Sequence, residues 1–338
     1  MQKNITSNLT AVSIGDIKGI GIQILIKAWK RKKLGDFVLI TNYELFNKYI
    51  LQNKISVKIF RSSIYNNKIV FQKNSFNILN ITAKSYNQNT YNSLLESYKL
   101  VKKKLFIGLV TLPINKKKIN TINSKFIDQT TLFTKKDGKK ISNMIFVHKN
   151  IFFVPLTIHL ELKKVSREFR KTDKYIQKIK SLHETIIKDF GIKKPKFIMA
   201  GINPHCGENG IISHEDDNLL KPIISKLKKL KINVDGPISP DAIVSKKNLK
   251  KYNCFIFTYH DQALIPFKLI SNFSGTNYTG NLSVIRTSPD HGTAYNLVGK
   301  KIAKDISLLN SFKLIKKINK NIKINDKAKK ISQSKFYK

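Results

Sequence analysis

Residues 9–29 read LTAVSIGDIKGIGIQILIKAW: an apolar strand-like run from Leu9 to Ile14, a glycine-punctuated turn GDIKGIG at 15–21, and an apolar helical stretch through Trp29. Strand, turn and helix in that order open a βαβ unit, in which helices cover a parallel sheet. The glycine spacing alone is a weak signal, because glycines between a strand and a helix serve many turns. The alternation continues downstream, with strand candidates at Phe37–Thr41, Lys104–Thr111, Ile151–Pro155, Phe197–Ala200 and Asn253–Thr258. Between Lys171 and Phe190, apolar residues including Tyr175, Ile179, Leu182 and Ile186 recur at helical spacing, and Gly191 is placed to stop that helix. His183 lies off this stripe and reads as a surface residue. Asn53 to Tyr91, rich in asparagine and lysine, reads as an irregular or edge region. The predicted fold class is α/β with a largely parallel sheet, and 338 residues at 41% hydrophobic content suit two lobes.

Composition excludes several classes. No run of about 18 apolar residues occurs, so no membrane span is expected. The N-terminus MQKNITSNLT is polar and lacks the hydrophobic stretch of a secretory signal, and the two cysteines, Cys206 and Cys254, form no metal-type spacing. These features predict a cytoplasmic protein in a reducing compartment. The net charge of +42 would attract polyanions, yet all but five of the 63 basic residues are lysines scattered from end to end. Arginine, the residue suited to bidentate phosphate and guanine contacts, is scarce, and no zinc-finger, helix-turn-helix or RNA-recognition signature is present. Specific nucleic-acid binding is not expected.

Three of the seven histidines follow or end strand-like runs: His159 in VPLTIHLEL, His205 in MAGINPHCGENG and His260 in FTYHDQALIPFK. In open α/β sheets ligands collect at the carboxyl ends of strands, so such residues converge although far apart in sequence. Three neutral imidazoles with open positions suit a divalent metal. Taken singly, each has a plainer reading as a hydrogen-bonded loop residue. Cys206 beside His205 is either a soft ligand or a small buried thiol.

The set GDIKGIG, TLPINK, NPHCGENG, YHDQALIPFK and IRTSPDHGTAYNLVGK, in that order, resembles the NAD-dependent 4-hydroxythreonine-4-phosphate dehydrogenases of pyridoxal phosphate biosynthesis, from near residue 10 to near residue 305. More distantly, HGTAYNLVGK resembles the cofactor loop of isocitrate and isopropylmalate dehydrogenases. The resemblance implies a two-lobed α/β/α fold of the isocitrate/isopropylmalate dehydrogenase type. Residues 1–125 and 279–320 would form a discontinuous cofactor-side lobe and 126–278 a second lobe with the metal and substrate ligands, the site lying in the cleft between them. Residues 321–338 read as a disordered basic tail.

The same resemblance implies a homodimer with His159, His205 and His260 binding zinc, magnesium or cobalt at its interface. It implies that Gln129, Thr130, Lys268, Asn277 and Arg286 hold a phosphorylated amino-acid substrate, with Lys268 and Asp241 as catalytic positions. His291, Gly292, Thr293 and Asn296 would hold NAD or NADP. The implied reaction oxidises 4-phosphohydroxy-L-threonine to 2-amino-3-oxo-4-phosphooxybutanoate, which decarboxylates to 3-amino-2-oxopropyl phosphate. Plainer readings stand beside these: Asp261 and Gln262 orient His260 or cap a helix, Lys116 and Lys268 are surface lysines, Arg286 forms a structural ion pair, and Asp290 and His291 support a turn.

Departures matter too. Where the family carries Gly-His-Thr-Glu, this chain has Asp128, Gln129, Thr130 and Thr131, and Gln129 can hydrogen-bond but cannot carry a proton or a charge. Ile17 and Lys18 replace a proline and an alanine, and Leu112 replaces a glycine. Two further readings remain open: a sister dehydrogenase acting on another phosphorylated hydroxy acid, and a non-catalytic, polyanion-binding relative.

Overall fold

The computed structural model describes residues 4–5, 8–300 and 302–336, with side chains described for 8–300 and 302–326. The chain divides into two compact units, 1–137 with 282–319 and 138–281 with 320–338. Its strands in chain order are β1 (Asn4–Ile5), β2 (Thr10–Ser13), β3 (Phe37–Thr41), β4 (Ile59–Tyr65), β5 (Lys68–Phe71), β6 (Phe76–Asn80), β7 (Gly108–Thr111), β8 (Asn143–His148), β9 (Ile151–Pro155), β10 (Phe197–Ala200), β11 (Val234–Ile238), β12 (Cys254–Phe257), β13 (Thr276–Gly280) and β14 (Arg286–Pro289). Its α-helices are α1 (Ile20–Lys30), α2 (Tyr43–Gln52), α3 (Tyr86–Lys102), α4 (Lys116–Asn120), α5 (Gln129–Lys136), α6 (Val165–Glu168), α7 (Thr172–Phe190), α8 (Lys221–Lys229), α9 (Lys246–Lys251), α10 (His260–Ser271) and α11 (Ile306–Phe336).

In the first unit the strand order is β1-β5-β4-β6-β3-β2-β7-β14. Pairing is parallel from β4 to β14 and antiparallel only at β4–β5 and β5–β1. Strands β2, β3 and β7 are buried on both faces, as parallel strands under helices must be. The core joins Leu9, Val38, Ile40, Leu94, Leu109 and Phe133, while Phe76 packs Trp29 and Phe37 edge-on and stacks on Phe46. Phe126 and Phe133 belong to this core, so residues 126–137, assigned from sequence to the second lobe, pack with the first.

In the second unit the order is β13-β8-β9-β12-β10-β11, with the last three neighbours parallel and the first two pairs antiparallel. Phe153 stacks between Phe255 and Phe257 and meets Phe267 of α10. Helix α7 buries Tyr175, Ile176, Ile179, Leu182, Ile186 and Phe190, and Gly191 closes it at φ 73°, as its sequence predicts.

Three readings change. Residues 53–91 contain an interior strand, β6, whose second residue, Asn77, is buried because its amide donates to the Gln72 and Ser75 carbonyls. His183 is half-buried against the Phe197 ring, and burial lowers its pKa. The tail is helical to Phe336, with Asn321 and Asn325 donating to the carbonyls of Asp189 and Lys188 at the end of α7. Among the described residues no helix is long and apolar enough to cross a membrane.

Candidate active site

Arg286 opens β14 and is only 3% exposed. Its guanidinium donates to Thr111 Oγ1 from Nε (3.1 Å) and Nη2 (2.7 Å), to Gln129 Oε1 from Nη2, and more distantly to Thr130 Oγ1 from Nη1 (3.5 Å). The Phe133 ring lies 5.7 Å from it. Burial pushes the guanidinium pKa down to about 10, against the opposing charge of Asp128. Asp128 caps α5 by accepting from Thr131 N (2.8 Å) and Oγ1 (3.0 Å), which fixes where Gln129 and Thr130 begin the helix. Gln129 is committed at both ends, its Nε2 donating to the Leu112 carbonyl at 3.2 Å. Three predicted substrate residues, Gln129, Thr130 and Arg286, therefore meet. A buried planar cation is the group suited to a carboxylate or phosphate ester.

The glycine turn is held by close approach. A Cβ on Gly15, at φ +65°, would lie 2.5 Å from the Pro113 carbonyl, and one on Gly19 would lie 2.9 Å from the Thr293 carbonyl. The turn thus packs directly on the TLPINK and HGTAYN loops. Helix α1 carries the second of these: Ile20 N donates to Thr293 O (2.9 Å), Gln23 Oε1 accepts from Gly299 N (3.0 Å), and Lys27 Nζ donates to Ala303 O (2.9 Å). Asp16, 7% exposed, accepts from the Tyr295 hydroxyl and from Lys118 Nζ at 2.9 Å, while Asn115 Nδ2 donates to that hydroxyl at 2.9 Å. Burial would lower the Lys118 pKa, but its hydrogen bonds to Asp16 and Tyr295 raise it. Of the predicted cofactor residues, Thr293 is in this contact, Gly292 has open space where a Cβ would be, His291 Nδ1 lies 3.0 Å from the Gly292 carbonyl, and Asn296 is exposed. Lys116, a candidate from sequence, is exposed, and Lys118, three beyond the capping Asn115, joins the Asp16 network.

The remaining predicted residues lie in the second unit. His159 follows β9 and His260 opens α10 after β12, and because β9 and β12 are parallel neighbours the two rings face at 5.9 Å. Asp261 Oδ1, 2.7 Å from His260 Nδ1, orients that imidazole. Gln262 turns inward instead, accepting from Thr258 N (2.8 Å) and Oγ1 (2.9 Å) and donating to Gly201 O (2.9 Å). Asn277 lies on β13, and its carboxamide oxygen is buried and accepts no hydrogen bond among the described residues. Lys268 Nζ lies 4.9 Å from the Phe273 ring centroid.

His205 stands on a left-handed turn beyond β10, in which His205 to Asn209 all have φ between 47° and 83°. Left-handed geometry costs a non-glycine residue roughly 1–2 kcal/mol, so such a run requires restraint from its surroundings. Asp216, fully buried, accepts from Ile202 N (2.7 Å), Asn203 N (3.1 Å) and Asn203 Nδ2 (3.2 Å), and Glu215 accepts from Asn203 Nδ2 (3.0 Å) and Ser166 Oγ. Neither acid was singled out from sequence, where Glu215, Asp216 and Asp217 form one undifferentiated acidic run. Asp241 is exposed, and the Ser239 hydroxyl, then the nearby His205, hold its carboxyl below the usual range. Burial and Asp216 push the Cys206 thiol up to about 11, which disfavours a thiolate ligand.

Two imidazoles thus fit a divalent ion, while His205 does not join them: among the described residues no group of three His, Cys, Asp or Glu is placed to hold a metal.

Comparison with known proteins places this geometry. Residues 33–315 match the family described as pyridoxal phosphate biosynthetic protein PdxA. A protein of Sulfurihydrogenibium sp. named 4-hydroxythreonine-4-phosphate dehydrogenase is 30% identical over 323 residues, covering 90% of this chain and 96% of the relative. One of the same name from Zymomonas mobilis is 30% identical over 308 residues, covering 87% and 91%. The crystal structure of 4-hydroxythreonine-4-phosphate dehydrogenase from Klebsiella pneumoniae shares the fold, with a TM-score of 0.78 at 23% identity over 94% of this chain and 99% of that one. That from Burkholderia phymatum does so with a TM-score of 0.72 at 22% identity, over 92% and 98%. With its family motifs assembled on this α/β frame, the chain belongs to the PdxA family of pyridoxal phosphate biosynthetic proteins.

Proposed function

We propose that the chain is a cytoplasmic, NAD-dependent oxidoreductase that oxidises the C3 hydroxyl of 4-phosphohydroxy-L-threonine. Hydride passes to NAD, the hydroxyl proton is released, and the resulting 2-amino-3-oxo-4-phosphooxybutanoate loses carbon dioxide and takes up a proton at C2 to give 3-amino-2-oxopropyl phosphate. The observation that carries this reading is the meeting of Arg286, Gln129 and Thr130, where a buried guanidinium is the group suited to an anionic substrate. Lys268 and Asn277 are assigned to the same substrate, the latter because its buried oxygen is a ready acceptor. Asp241, held ionised beside His205, is assigned with Lys268 to proton movement. The loop His291–Asn296, carried on α1, is assigned to the nicotinamide cofactor.

His159 and His260, with His205 completing the set at the dimer interface as the family resemblance implies, would hold a zinc, magnesium or cobalt ion, which when bound supplies a Lewis acid for the substrate hydroxyl. A homodimer is part of this reading. It is supported by Ile265 and Leu269, four apart on α10 and 72% and 83% exposed, because apolar side chains of that size side by side on a helix favour burial against a second surface.

The second reading, a sister dehydrogenase for another phosphorylated hydroxy acid, is favoured at one position, where neutral Gln129 contacts Arg286. The test is NADH absorbance with NAD and 4-phosphohydroxy-L-threonine, with and without a chelator, at salt high enough to suppress polyanion binding. Chelator-sensitive reduction is expected. No reduction by folded, metal-loaded protein, but turnover of another acid in a substrate panel, would replace the first reading with the second.

A further inference from the structure

We infer that Asp216 is a positioning residue: its buried carboxylate clamps the start of the left-handed turn and thereby sets where His205 projects. Before the turn, Gly201 is held by Ile238 O and by Gln262 Nε2, and Glu215 shares the Asn203 amide with Asp216. Its own backbone hydrogen bonds are local, among them Cys206 N to Asn203 O (3.1 Å), Ile211 N to Glu208 O (3.1 Å), Ile212 N to Gly207 O (3.1 Å) and Ser213 N to Gly207 O (3.3 Å), and these close turns without fixing the backbone of Ile202 and Asn203. Asp216 fixes that stretch. It collects two successive backbone N–H groups and the Asn203 amide, immediately before Pro204 and His205, from the π-helical turn Asp216–Leu220. A carboxylate accepting three N–H donors is acceptor-only and cannot be replaced by an amide without turning a donor onto a donor. Gly201 completes the fit, since a Cβ there would stand 2.7 Å from the Asp216 carboxylate and 2.8 Å from Cys206 Sγ. His205 itself is exposed, so its direction follows from the backbone that carries it.

The test is hydrogen–deuterium exchange of residues 202–213 in the metal-free, full-length chain. Asp216→Asn is expected to speed exchange of this segment roughly tenfold or more while β9 and β12 keep their protection. Adding Glu208→Gly, which removes the left-handed penalty at φ 47°, is expected to restore much of that protection. Wild-type exchange in a folded Asp216→Asn protein, or no recovery with Glu208→Gly, would overturn the inference. If Asp216→Asn does not fold, Asn203→Ala removes one arm of the clamp and is expected to speed exchange in the same segment; no change there would equally overturn it.

A cobalt(II) titration adds the readout that a purely structural role would not move. Asp216→Asn is expected to weaken binding, with no further loss when it is combined with His205→Ala; additive losses would count against positioning through His205. This arm rests on the proposed metal site. Absence of cobalt binding by the wild type would count against that site and leave the exchange experiment to decide the clamp.

Discussion

The two units present their candidate residues in opposite ways. In the first, Arg286, Gln129, Thr130 and Asp16 are each less than a tenth exposed and are fixed by side-chain hydrogen bonds to one another and to Thr111, Leu112, Lys118 and Tyr295. In the second, His159, His205 and Asp241 are exposed, and both histidines occupy left-handed backbone, at φ 52° and 50°. One site is aimed by side-chain networks in a dry interior, the other by backbone geometry. The first should therefore be sensitive to the chemistry of each partner, the second to whatever holds the main chain.

The sharpest way to break this contrast is His205→Ala, expected to abolish metal-dependent NADH formation while circular dichroism and thermal unfolding stay near wild type. An unchanged rate would remove the metal assignment, and a collapsed fold would mean that His205 is structural after all. Next comes Arg286→Lys. Lysine cannot reproduce the fork that Thr111 and Gln129 receive, so kcat/KM should fall on the order of a hundredfold, the scale of leaving buried polar partners unpaired. Steady-state kinetics showing less than a threefold change would deny the network its role.

Lys178 tests the comparison from the other side, as a half-buried cation in the second unit. Its ammonium donates to the Leu156 carbonyl at 2.7 Å just past β9, and burial, with Lys174 nearby, pushes its pKa down to about 8. The unfolded chain then binds more protons between that value and the ordinary lysine value, so this group's contribution to stability rises with pH across that window. The slope is no steeper than about 1.4 kcal/mol per pH unit. Denaturant unfolding of wild type and Lys178→Met from pH 7.5 to 10 should show the slope in the first and its loss in the second. The smallest effect is expected from Tyr295→Phe, which removes one hydroxyl from the Asp16 network. The Michaelis constant for NAD should rise roughly threefold to tenfold, the worth of a charge-assisted hydrogen bond, with kcat little changed. An equal fall in kcat would mean that the network reaches the chemistry.

The backbone of the first βαβ unit is legible because strand, turn and helix each carry their own signal, and α7 is legible because its stripe and its closing glycine agree. Strand β6 is not, since Asn77 interrupts the apolar pattern and only the folded partners at Gln72 and Ser75 explain its burial. The histidines stand out at strand ends, but strand order decides which of them meet, and that order is a long-range property. Lys118 was hidden among lysines, where its contacts with Asp16 and Tyr295 distinguish it. Asp216 was hidden for a different reason. A buried acid that binds backbone amides leaves no mark in spacing or composition, because its partners are the one group every residue shares.

The first unit is discontinuous: β7 finds its parallel neighbour β14, and the core gains Val284, only from residues beyond 281. During synthesis the whole of 138–281 emerges before that edge of β7 can be paired. The N-terminal part of the sheet must therefore wait with an open edge, and a ribosome-bound chain halted near residue 281 should be more prone to aggregation than one released after residue 319.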